Sequence, residues 1–364
     1  MSTTAGPTTP ENPKTLLAHA LELHKHDPDR PLPCDGEPFP DHADHDPDNR
    51  PAMTRRSGTG VDVADILARY FAEAAPDPAR LAESVHRVGV PIYPSELMAE
   101  AAREAGRGRA LETGRWLIRN GTDTCAVTVG LALLEAVGIT AEDVGLVQTI
   151  GLLSDHFGPL AARALAKLPS GSAQALLWLA DRAAGWGRVN VVRSLAGLDD
   201  PDTRQWLLRK AVDGDILNGY FIAVVVMTGR LHDVLDELAA DPELTDCTGR
   251  ILWLMTENEG MGLTLKGYEH ADSVLRAHKD ALSHHGPTLQ RFYIAALIAR
   301  YLGRSSPDDP NRTWEADRAA YRALLDEPRW REVALTGLAE GDGRIRFIAD
   351  AVAPEIGLAL GGEE

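Results

Sequence analysis

Trp178 to Gly229 reads WLADRAAGWGRVNVVRSLAGLDDPDTRQWLLRKAVDGDILNGYFIAVVVMTG, and it contains one unit written twice. Trp178-Leu179 opens the first copy and Trp206-Leu207 the second, 28 residues later. In each copy a short helical segment meets a break, Gly185-Trp186-Gly187 and then Asp213-Gly214-Asp215, and an apolar helix follows. Asn190 and Asn218 fall in register behind the two breaks. Self-similarity at a period of about 20 to 50 residues is the mark of a stacked array, in which no unit buries its own apolar face and neighbours must cover it.

Working back from this stretch, two more copies can be laid over it. The four units start at Trp116, Thr149, Trp178 and Trp206, at spacings of 33, 29 and 28. The earlier breaks fall at Asn120-Gly121 and at His156-Phe157-Gly158. Behind the breaks, Val127, Leu131 and Leu134, then Leu160, Ala164, Leu165 and Leu168, recur at helical spacing. Val189, Val192 and Leu195, then Leu217, Tyr220, Phe221, Val224 and Val225, do the same. Pro159 is placed just inside a helix start, where its missing N–H costs nothing. Pro169 and Pro201 fall between units.

Outside the repeats the pattern stays helical but less regular. Helices are expected at 14–26, from Val61, over 79–88 and over 95–105, with Ser95 as an N-cap. Further on they are expected over 250–257, 271–283, 289–302, 314–325 and 332–339. No segment alternates with period two, so no sheet is expected, and the run Val224-Val225-Val226 is read as buried helix. Residues 27–60 hold seven prolines and many Asp, a composition that cannot bury enough surface to fold alone. Leu32, Pro33, Phe39 and Met53 are the residues that could tack it to the body. The plan is therefore a largely disordered extension with one short helix (1–60), capping helices (61–110), the repeats (111–235), and irregular helical repeats with a C-terminal cap (236–364).

The pattern resembles that of HEAT-type repeats, particularly the short variety of about 30 residues. The phrases Gly-Trp-Gly-Arg (185–188) and Asp-Gly-Asp-Ile-Leu-Asn-Gly-Tyr-Phe (213–221) are similar to those of uncharacterised actinobacterial HEAT-like proteins. The resemblance is clear over about 110–235, and it implies an all-α, right-handed solenoid of helix pairs. It implies no activity.

The 364 residues carry a net charge of −17. The charge is +2 over 103–210 (thirteen Lys and Arg against eleven Asp and Glu) and −8 over 211–290 (five against thirteen). A duplex or an anionic membrane needs clustered basic residues to displace its counterions, so neither is an expected partner. Three cysteines, Cys34, Cys125 and Cys247, lie far apart without a CxxC, which fits a reducing compartment. The opening residues lack the basic-then-apolar pattern of a signal peptide, and a cytoplasmic location is expected.

No HExxH, GxSxG, Walker-type GxxxxGK or strand-linked GxGxxG is present, and no cofactor, metal or catalytic residue is expected. His24, His26, His42 and His45 lie in or beside the Pro/Asp-rich extension, where no rigid element sets a ligand geometry. Trp116, Trp178 and Trp206 are read as packing between successive helix pairs rather than as an exposed ladder. Asp213, Asp215, Asn218 and Tyr220 form the densest polar cluster, but no bidentate Glu follows in EF-hand position, and Asp215 reads as an N-cap.

The expected site is a ridge of inter-helix turns. Phe157, Trp186 and the Asp213–Asp215 turn would line it, flanked by Arg188, Asn190, Asn218 and Tyr220. Such a mixed aromatic and charged strip suits a protein or peptide partner, and a binding or scaffold protein is the favoured reading. Two others stay open. One is an enzyme resembling HEAT-like DNA glycosylases, with Trp178, Trp186 and Asp213 in the aromatic and carboxylate parts. The other is an immunity-type inhibitor whose acidic 211–290 stretch masks a basic partner.

Overall fold

Helix stops in this chain are written as Gly, Pro and capping Asp, Ser or Thr, and the structure obeys most of them. A computed structural model describes residues 14–41, 59–86 and 88–360. His42, His45, Met53 and the 1–13 segment lie outside the described residues. Among the described residues the chain is helical throughout, with no strand. No helix among the described residues is long and apolar enough to cross a membrane. The chain divides into two compact units, 1–194 and 195–364, and the division falls within the stretch read as one array, 111–235.

Unit 1 contains α1 (Leu16–His24), α2 (Val61–Ala72), α3 (Pro78–Val85), α4 (Glu96–Ala105) and α5 (Arg107–Asn120). It continues with α6 (Thr124–Val137), α7 (Val144–Gly151), α8 (Ser154–Ala166), α9 (Ser172–Ala180) and α10 (Gly185–Ser194). Helices α5/α6, α7/α8 and α9/α10 are the expected pairs, and each pair is in contact. The second members pack on one another in chain order, α6 on α8 and α8 on α10. They are the most buried elements: Val127, Leu131, Leu134, Leu160, Leu165, Val189 and Val192 are wholly enclosed. Caps set the starts. Asp123 Oδ1 accepts from Ala126 N at 3.0 Å, and Ser95 Oγ accepts from Met98 N at 3.5 Å.

Arg115 of α5 forms a charge pair with Asp143, which ends the 3-10 turn ahead of α7. Asp143 is fully buried, and Arg115 reaches it with Nε at 2.6 Å and Nη2 at 2.9 Å. The Thr140 N–H and hydroxyl each donate to its Oδ2 at 2.9 Å. Burial alone would raise this carboxyl, but the hydrogen bonds from Arg115 and Thr140 outweigh it and hold the group below its ordinary value.

The N-terminal extension departs from what its composition suggests. Helix α1 packs against α5 and α7, and residues 25–41, though irregular, are pinned along unit 1. Leu32 is buried, Arg182 donates to Pro28 O at 2.6 Å and to Asp29 at 2.7 Å, and Asp41 Oδ2 accepts from Thr124 N at 2.7 Å. Each bond is to a partner far along the chain. That is why a local composition argument misses it.

Unit 2 contains α11 (Pro201–Arg209), α12 (Ile222–Thr228), α13 (Pro242–Glu257), α14 (Ala271–His285) and α15 (Leu289–Arg304). Helices α16 (Glu315–Asp326), α17 (Pro328–Ala339), α18 (Gly343–Phe347) and α19 (Ala353–Ile356) complete it. Helix α11 packs on α12 and α13, α13 on α15, α14 on α16, and α15 on α16 and α17. Val225 and Val226 are buried in α12, as the apolar run requires. Fully buried His278 and Tyr321 tie α14 to α16 by a 2.8 Å hydrogen bond, and burial pushes the imidazole down to about 3.

Candidate functional site

The Gly-Trp-Gly break at 185–187 is where α10 begins. Gly185 takes φ 53°, a left-handed turn that an L side chain rarely adopts, and this carries the chain from α9 into α10. Gly187 then meets α8 at close range. A methyl group on it would stand 2.8 Å from the Ser154 carbonyl carbon and closer still to the Ser154 side chain. The turn is locked on both sides. Asp155 Oδ1 accepts the Gly187 N–H at 3.0 Å, and Asn190 Nδ2 donates back to Trp186 O at 2.9 Å. Between these fixed points the Trp186 side chain stands 42% exposed.

Two of the other expected members of the ridge in unit 1, Phe157 and Arg188, are buried. Phe157 is wholly buried, because α8 starts at Ser154 and the expected break at 156–158 lies inside the helix. Its ring packs against Phe39 of the extension at 6.1 Å. Arg188 is 8% exposed, and its Nη1 donates to Ala180 O at 3.1 Å and to Ala183 O at 3.4 Å. It satisfies carbonyls at the end of α9, as basic side chains commonly do, and so braces the turn rather than reaching outward. Asn190 is half-buried and bonds within its own helix, not across to the next.

In unit 2 the Asp213–Asp215 turn closes on itself. Asp213 Oδ1 accepts from Asp215 N at 3.1 Å and from Asn218 Nδ2 at 2.8 Å. Asp215 Oδ1 caps Leu217 N at 2.9 Å, starting the 3-10 turn Ile216–Phe221. Asn218 is buried and Tyr220 half-buried. The two aspartates thus serve as turn acceptors, and this hydrogen bonding accounts for them without acid–base chemistry.

Beside the Trp186 turn lies a second cluster, formed by the extension and the start of α8. The extension bends back at Cys34, Asp35 and Gly36, with φ of 48°, 55° and 84°. Ser154 Oγ donates to Asp35 Oδ1 at 2.5 Å, and Asp155 is the charged group facing the same carboxyl. Burial, with the neighbouring Asp155 adding to it against the Ser154 hydrogen bond, pushes Asp35 up to about 7. Asp35 therefore holds its proton in the docked state over a range in which a free aspartic acid has lost it. Docking takes up a proton between the ordinary value and about 7, so it is strongest on the acid side and weakens as pH rises through 7.

We expect hydrogen exchange at residues 28–37, corrected for intrinsic rates, to show protection falling between pH 5.5 and 8.5. Asp35→Asn should make that protection independent of pH. His19 Nε2 also lies 2.7 Å from Gly36 O, a second tie on the same bend. Protection that stays level in the wild type would remove the proton from the account.

The arrangement can do two things chemically: present a fixed indole, and hold or release the extension beside it. Compared with known proteins, the chain matches no family model, no curated protein and no solved structure.

Proposed function

We propose that the chain is a cytoplasmic binding protein, a right-handed solenoid of HEAT-like helix pairs that recognises a protein or peptide partner. The observation that carries this reading is Trp186, a large aromatic side chain 42% exposed on a turn whose backbone is already fixed by Asp155 and Asn190. Indoles of this kind dominate interface energies, and a pre-set turn spares the ordering cost that association otherwise incurs. Arg188 and Asp155 support the turn. Phe157 belongs to the packing beneath it.

The test pairs tagged wild type with Trp186→Ala in cross-linked co-purification from the native host, each partner quantified against the bait. Trp186→Ala should weaken capture of a specific partner by on the order of 2 kcal/mol, with the melting temperature unchanged. Equal capture by both proteins would sink the reading. A variant that melts many degrees lower would make Trp186 a packing residue instead.

A further inference from the structure

Unit 2 carries a cleft whose charge runs against that of the chain. It lies among α15, α16 and α19, in two lobes of about 570 and 460 Å³ that share Arg318, Glu355 and Ile356. Four arginines line it, Arg300 and Arg304 from α15 and Arg318 and Arg322 from α16, against two carboxylates, Glu315 and Glu355. The lining is therefore +2 in a protein of net charge −17. Arg304 pairs with Glu355, while neither Arg300 nor Arg318 has a carboxylate partner among the described residues.

Apart from Arg304, the guanidinium groups meet glycine, a carbonyl and an aromatic ring rather than carboxylates. Gly303 sits within helical α15, where glycine costs about 1 kcal/mol relative to alanine and no left-handed backbone calls for it. Its reason is the space above it. A methyl group there would lie 2.9 Å from Arg318 Nε, 3.0 Å from Cζ and 3.4 Å from Nη2, so the guanidinium occupies the place a side chain would take. Arg322 lies within ordinary contact distance of Gly357, whose φ of 68° already calls for glycine, and its Nη2 donates to Gly357 O at 2.9 Å. Arg300 lies over the Phe347 ring at 5.6 Å.

We infer that this cleft binds a phosphate-bearing ligand, with Arg318 at its centre. The lining carries a net charge of +2, and a phosphate dianion places two negative charges on one group. Planar guanidinium forks match phosphate oxygens in pairs. Ala319, Pro354 and Ile356 provide an apolar wall for an organic moiety, and each lobe is the size of a small-molecule site. The inference is independent of Trp186 and its partner.

Calorimetric titration of the whole chain with inorganic phosphate, adenosine monophosphate and succinate tests it. Phosphate and the nucleotide should bind, and succinate should bind at least tenfold more weakly. Arg318→Gln should weaken phosphate binding about tenfold with an unchanged helical spectrum. Gly303→Ala should weaken it too by displacing the Arg318 fork, giving a second route should either variant fold poorly. Tighter binding of the nucleotide than of phosphate assigns an organic ester, and equal binding assigns the bare anion. Both support the site. Succinate binding as well as phosphate, phosphate binding that ignores Arg318→Gln, or no phosphate binding at millimolar concentration would overturn it.

Discussion

Gly187→Ala is expected to destabilise unit 1 by at least about 3 kcal/mol, the upper part of the range for overpacking a filled core. The added methyl meets Ser154 backbone at 2.8 Å and the buried Ser154 side chain at shorter range, and neither can swing away as the tip of a long side chain could. Relief requires α8 and α10 to move apart, and that strips contacts from Phe157, Leu160, Val191 and Val192. For a unit of this size the melting temperature should fall by about 6–12 °C. Gly108→Ala is the control. It lies in α5 with nothing within 4 Å of the new methyl, and should stabilise by about 0.5–1 kcal/mol. A Gly187→Ala protein that melts with the wild type would mean that α8 and α10 do not cross as closely as described.

The second large effect is expected from Arg115→Ala. It leaves Asp143 buried without its counter-ion, and breaking a buried pair from one side costs about 3–5 kcal/mol. The pH dependence identifies the cause. In the wild type the Asp143 carboxyl lies below its ordinary value, so its contribution is present above that value and lost as pH falls through the lowered one. Without Arg115, burial dominates and the carboxyl moves up. The variant should then be most handicapped at neutral pH, and the gap to wild type should narrow as acid neutralises Asp143. Urea midpoints at pH 7 and pH 4 measure this, and a gap that widens toward acid would rule the mechanism out.

How much of this was legible in the sequence depends on the range of each interaction. Helix pairs α5/α6, α7/α8, α9/α10 and α11/α12 could be read because apolar spacing and Gly or Asp breaks are local signals. The expected break at 156–158 rests on Pro159, which reads as a helix start. In the structure it lies inside α8, after a start at Ser154 that no side chain caps. That shift of register turned Phe157 from a surface residue into a core one. Arg188 was misjudged for a related reason: a charged residue near a turn reads as exposed, and its carbonyl partners at Ala180 and Ala183 are visible only in three dimensions. Trp186 stands at the Gly-Trp-Gly signal the sequence shows, and it is 42% exposed there. The Asp35 cluster and the arginine cleft were not legible, since each joins segments remote in the sequence.

The docked extension also sets an order of events during synthesis. Its hydrogen bonds span 83 residues to Thr124, 119 to Ser154 and 154 to Arg182, so residues 28–41 leave the ribosome well before the surface that receives them exists. At about 5–20 residues per second the wait to Arg182 is on the order of ten seconds, long beside the time a helix needs to form. Residues 28–41 are thus made early and seated late. A ribosome that stalls before Arg182 displays both the unseated extension and the bare helix faces it covers.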